Sequence, residues 1–165
     1  MKKLSFVFLG CFIALSVATA QADHKLDDQT IQTDKTIRAQ IIKPFIAAAD
    51  QQNQQPDWKV LRTTIVTQYG DAYADRTITK AKIFYYYSKD WPQFSSALVQ
   101  YTNNYEYRDS LPLMNMNAKM VLDHSNNPGD LKAAQAWIKY ASDKNPSNEE
   151  YKATYDALSA KIAGR

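Results

Sequence analysis

From Asp34 onward the apolar residues recur every three or four positions, the spacing that puts them on one stripe of an α-helix. Ile37, Ile41, Ile42, Phe45 and Ile46 form the first stripe, with Pro44 inside it predicting a kink. The polar run "DQQNQQPD" ends that element. A second helix starts at Asp57 as N-cap, carries Trp58, Leu61, Ile65 and Tyr69, and stops at Gly70. A third runs from Asp71 to Ser88. Asp90 and Pro92 open a fourth with Phe94, Leu98 and Tyr101 on one face, and Ser110 and Pro112 open a fifth with Met114, Ala118, Val121 and Leu122. "NNPGD" is a loop whose Asp130 is expected to cap a sixth helix, and Tyr151, Tyr155, Leu158 and Ile162 mark the last. No segment after Asp34 alternates with the period of a half-buried strand. The expected fold is all-α, with about seven helices of roughly 12 to 18 residues, in an irregular array of about three stacked hairpins over residues 34–165.

The stretch "AKIFYYYSKDWP" complicates the stripe pattern. Successive helical side chains turn by about 100°, so Phe84, Tyr85, Tyr86 and Tyr87 cannot all face one core. Ile78, Ala81, Phe84, Tyr85 and Ser88 share one stripe, and Ile83, Tyr86 and Tyr87 share another. This predicts Phe84 and Tyr85 in the core, with Tyr86 or Tyr87 nearer the surface. Trp58, Trp91 and Trp137 read as core with Tyr85. Tyrosine joins an apolar ring to a polar hydroxyl and suits a contact surface. Tyr86, Tyr87, Tyr101, Tyr105 and Tyr107 are therefore candidate binding residues, with Asn103, Asn104 and Arg108 as a polar rim.

The second half of the chain resembles the tetratricopeptide repeat, a 34-residue helical hairpin whose second helix carries Ala, a bulky residue four on, and then a proline. Ala134, Ile138, Ala141 and Pro146 stand at those positions, and Met114, Asn117, Ala118 and Val121 fill the first-helix positions if "NNPG" lengthens the connection. From about Asp90 to Gly164 the chain also resembles the helical segment that follows the thioredoxin domain in some exported thioredoxin-like proteins of Bacteroidota. The resemblances imply helical architecture and an exported setting. The chain has no C-x-x-C, so they imply no redox chemistry.

The N-terminus carries its own pattern. "MKKLSFVFLGCFIALSVATAQAD" has basic Lys2 and Lys3, an apolar run from Leu4 to Val17, and small residues at Ala18, Ala20 and Ala22, the three parts of a secretory signal peptide. The run is shorter than the roughly 18 residues of a membrane span. Residues 1–22 are thus expected to be removed, leaving 23–33 as a flexible lead-in to one domain. Cys11 follows bulky Leu9 and precedes further apolar residues, which favours cleavage downstream over lipidation. Cleavage removes the single cysteine, so no disulfide or thiolate chemistry is expected in the mature chain. It also removes two of 20 basic residues, leaving near balance with 17 acidic ones, so nucleic acid is not an expected partner.

Candidate chemistry is sparse. His24 lies in the lead-in and His124 near a helix end, where a cation meets the helix dipole favourably. Asp27 with Asp28 reads as solvated tail, and Glu149 with Glu150 as first-turn helix charge. No G-x-S-x-G, H-E-x-x-H or phosphate-binding glycine loop is present. The expectation is a non-catalytic protein without metal or cofactor, periplasmic or secreted, binding an envelope protein or peptide. The alternatives are a carbohydrate- or small-ligand-binding envelope protein, or a degenerate accessory domain of a thioredoxin-like enzyme.

Overall fold

Single polar side chains set most of the helix starts. Asp57 accepts the N–H groups of Lys59 and Val60, each at 3.0 Å, and Asp90 accepts that of Gln93 at 3.0 Å. Asn127 accepts from Gly129 at 2.7 Å, and Asn148 accepts from Glu150 at 3.0 Å and Tyr151 at 3.2 Å. Each replaces a hydrogen bond that the first helical turn cannot make internally. The computed structural model describes residues 26–106 and 110–164. Its helices are α1 (Asp28–Ile37), a π-helical segment (Arg38–Ile42), α2 (Lys43–Gln51), α3 (Trp58–Tyr69), α4 (Asp71–Tyr86), α5 (Trp91–Tyr105), α6 (Leu111–His124), α7 (Pro128–Lys144) and α8 (Glu149–Ala163). The first three pieces join without leaving helical backbone angles, so among the described residues the fold is all-α, with seven rods and no strand.

Three local expectations are corrected. The first rod begins at Asp28, capped by Asp27 through Thr30 N–H at 2.6 Å, so most of the expected lead-in is helix. The cap of α7 is Asn127 rather than Asp130, which instead accepts a hydrogen bond from Ser125 Oγ at 2.8 Å. Ser110 stands at the N-cap of α6 without a side-chain cap bond. Pro44 does not end the first rod: the preceding π turn, in which Lys43 N–H reaches Arg38 O, widens the helix by one residue where proline would otherwise leave a carbonyl crowded and unpaired. The proposed signal peptide and His24 lie outside the described residues.

Gly70 alone separates α3 from α4. Its φ of +87° is a left-handed value that costs glycine nothing and a side-chain residue about 1 kcal/mol or more. Arg62 locks the corner by bonding Asp71 at 2.6 Å and Asp75 at 2.7 Å. At the other end of α4 the helix stops at Tyr86, and Ser88 takes a φ of +61° before α5 begins.

From α3 onward each helix packs on the next, and the first rod meets α3 through its π segment. In addition α5 touches α7, α6 touches α8, and α4 lies against α1 and the π segment. Two apolar clusters result. One gathers Ile37, Ile42, Leu61, Ile65, Ala74 and Ile78; the other centres on Phe94, Val121, Ala134, Trp137, Ile138 and Leu158. Trp58 packs against both. Buried polar groups of α5, α6 and α8 pair with one another, Asn117 Nδ2 donating to Thr102 Oγ1 at 3.0 Å and Thr154 Oγ1 to Asn115 Oδ1 at 2.9 Å, whereas buried Ser95 Oγ on α5 has no hydrogen-bond partner among the described residues. Ala118, Ala134 and Ala141 are fully buried where α6, α7 and α8 approach one another. Ala141→Leu should therefore cost about 1–3 kcal/mol by overpacking, read as a lower midpoint in urea. An unchanged midpoint would place Ala141 outside the helix contact.

Candidate binding groove

The tyrosines singled out in the sequence do not converge on one surface. Tyr86 is 4% exposed, and its hydroxyl accepts the indole N–H of Trp58 at 2.8 Å. Phe84, expected in the core, is 58% exposed. The expected order of these two is thus reversed: Tyr86 turns inward to Trp58 and clusters with Phe94, whereas Phe84 lies on the groove wall beneath Arg38. Tyr87 has left the helix and is 53% exposed, folded edge-on against Trp91 and Phe94 at centroid distances of 5.5 and 5.6 Å. Asn103 turns toward α7 and accepts the Trp137 indole N–H at 2.7 Å, whereas Asn104 faces solvent. Tyr101 is buried, with half-buried Tyr105 at 5.5 Å. Tyr107 and Arg108 lie outside the described residues. His124 ends α6 and stacks flat on Trp91 at 3.6 Å.

Among the described residues of that set, only Tyr101 borders a groove of about 460 Å³ between the first rod and α4. Asp34 meets Arg76 near the start of both helices, and Asp50 and Tyr85 line the groove near their ends, so the two rods run side by side in one direction. Along the first rod Ile31, Asp34, Lys35, Arg38, Ile42 and Ile46 follow at helical spacing. Thr77, Lys80, Ala81, Phe84 and Tyr85 do the same on α4, and Lys89 closes one end. The floor is aliphatic and aromatic, and the rim is basic: Lys35, Arg38, Lys43, Lys80 and Lys89 are all exposed. Three of them lie over rings of the groove wall, Arg38 on Phe84 at 4.9 Å, Lys89 on Tyr85 at 4.2 Å and Lys80 on Tyr101 at 5.5 Å.

Arg76 pairs with Asp34, one of the residues that line this groove. Its Nε and Nη2 reach both oxygens of Asp34 at 2.8 and 2.7 Å, a two-pronged pair that ties α4 to α1. Hydrogen bonding to Asp34 holds the guanidinium pKa above its usual value against the opposing effect of burial. Burial pushes the Tyr101 phenol up to about 12, with smaller help from the charges of Glu106 and Asp34. An acid whose folded pKa is raised adds stability that is complete below its unfolded value near 10 and is lost as pH climbs toward 12. Wild-type protein should lose about 2 kcal/mol from this phenol between roughly pH 9 and pH 12, a loss that Tyr101→Phe lacks. Thermal melts of the two proteins across that range check it, and parallel curves would mean that Tyr101 ionises as freely as an exposed phenol.

Among the described residues no group of three or more His, Cys, Asp or Glu is placed to hold a metal ion, and no helix is long and apolar enough to cross a membrane. Compared with family models, curated proteins and solved structures, the chain matches none. The groove was not foreseen from the sequence. Its signal was the second face of the first helix, where Ile31, Lys35, Arg38 and Ile42 recur at three- and four-residue steps.

Proposed function

We propose that this chain is an exported, non-catalytic binding protein whose helical array holds a peptide segment of an envelope protein in the groove between its first rod and α4. The observation that carries the reading is the groove itself, open along two parallel helices with an apolar floor and exposed Phe84 in its wall. Its volume falls within the few hundred to about 1,000 Å³ usual for ligand sites. A site along helix sides, rather than at a loop cluster, suits a linear ligand, because side chains at each turn offer repeated contacts. Export rests on the N-terminal pattern, and the architecture is that of stacked tetratricopeptide-like hairpins in the region of Ala134, Ile138 and Ala141.

The test uses the processed protein, whose intact mass should correspond to a start at Gln21 or Asp23. A pool of fluorescein-labelled ten-residue peptides should give saturable polarisation, and Phe84→Ala should weaken it about tenfold, as loss of an anchoring aromatic does. Equal binding by both proteins would remove the groove from the reading.

A further inference from the structure

The charge around the groove is out of proportion to the chain. The sequence carries 20 basic and 17 acidic residues, yet five cations stand on the groove rim against two lining carboxylates. One of those two, Asp34, already receives both hydrogen bonds of Arg76. Asp50 stands at the far end, and Glu106, outside the lining, is near enough to feel the charge of Lys80. None of Lys35, Arg38, Lys43, Lys80 or Lys89 forms a salt bridge among the described residues. Stacking on Phe84, Tyr85 and Tyr101 holds three of these cations along the wall, where a ring face attracts the charge without neutralising it.

Their distribution distinguishes between anionic ligands. A single-chain lipid carries its charge at one end, whereas these cations are spread along the groove. Lys35 and Lys43 are eight residues apart on the rod, about 12 Å at 1.5 Å per residue. In an extended peptide, side chains on one edge recur about every 6.7 Å, so residues four apart stand about 13 Å from each other. The apolar floor of Ile31, Ile42, Ile46 and Ala81 suits the other edge of the same strand.

We propose, building on the peptide reading above, that the groove takes an extended acidic segment, its apolar side chains facing the floor and its carboxylates at the level of the Lys35, Arg38, Lys43 and Lys80 rim. A basic segment is rejected there by like charge, so the rim sets specificity as well as attraction.

The probe is a labelled peptide of alternating Glu and Leu, set against the same peptide with Gln for Glu and with Lys for Glu. The Glu peptide should bind at least about tenfold more tightly than the Gln peptide, with the gap closing between about 50 mM and about 500 mM salt, and the Lys peptide should not bind. Arg38→Gln and Lys80→Glu, both at exposed positions, should bring the Glu peptide down to the Gln level while circular dichroism stays unchanged. Lys132→Glu, exposed on α7 away from the groove, should leave it bound. Equal binding of the Glu and Gln peptides, both lost in Phe84→Ala, would overturn the acidic preference and leave the peptide reading standing. A preference indifferent to Arg38→Gln and Lys80→Glu would also overturn it. Failure of every peptide, or uptake of dodecanoate in their place, would overturn both.

Discussion

Tyr86→Ala should cost about 3–5 kcal/mol, the range for removing a buried aromatic side chain. The ring is enclosed by Trp58 and Tyr85 at centroid distances of 6.0 and 5.2 Å, and Trp58 is the residue that packs against both apolar clusters. Losing the hydroxyl also leaves the Trp58 indole N–H without its acceptor, which by itself costs about 1–3 kcal/mol when no water replaces it. Phe84→Ala, two residues away, should cost under about 1 kcal/mol, because an exposed ring gains little from burial. Urea unfolding of the two variants and of Tyr86→Phe separates the contributions, Tyr86→Phe reading the hydrogen bond with the ring in place. Equal losses at positions 84 and 86 would contradict the orientation of α4.

Why the sequence pointed to Phe84 instead is a matter of neighbours. Helical period correctly locates every rod after Asp57, since a stripe such as Leu61 with Ile65, or Ala134 with Ile138 and Ala141, is buried wherever its helix packs. Where two stripes compete on one helix, period alone cannot choose between them. In α4 the choice is made by α3, whose Trp58 offers an indole N–H that only a tyrosine hydroxyl, not Phe84, can accept. A hydrogen bond between residues 28 apart leaves no periodic trace. Pro44 was legible as a disturbance of the first helix, but not its resolution by a π turn. The groove was illegible for a similar reason: Lys35 and Arg38 read as an ordinary solvated face until α4 is set parallel to the first rod and brings Lys80 opposite them. Tyr101, Asn103 and Tyr105 share a helix end in the sequence, yet the roll of α5 sends Asn103 to Trp137 and Tyr101 to the groove.

The pairing of those two rods depends most on Arg76, and Arg76→Met should cost about 3 kcal/mol. The side chain of Arg76 is 9% exposed and that of Asp34 is 20% exposed, so the pair is largely withdrawn from water. Removing one member of a buried pair costs about 3–5 kcal/mol because the other charge stays behind uncompensated. The lower end applies here, since Asp34 can still recruit some water at the groove edge. Arg76 also covers the Tyr73 ring at 4.9 Å, an interaction that Met keeps only as an apolar contact. If the stranded carboxylate is the cause, Asp34→Asn combined with Arg76→Met should recover all but about 1 kcal/mol, and the double-mutant cycle in urea should show a coupling above about 1 kcal/mol. Additive losses would assign the effect to Arg76 packing alone. The same cycle bears on the groove: in Arg76→Met the unmatched Asp34 charge faces the basic rim, so an acidic peptide should lose affinity there and regain it in the double variant, where the charge is gone.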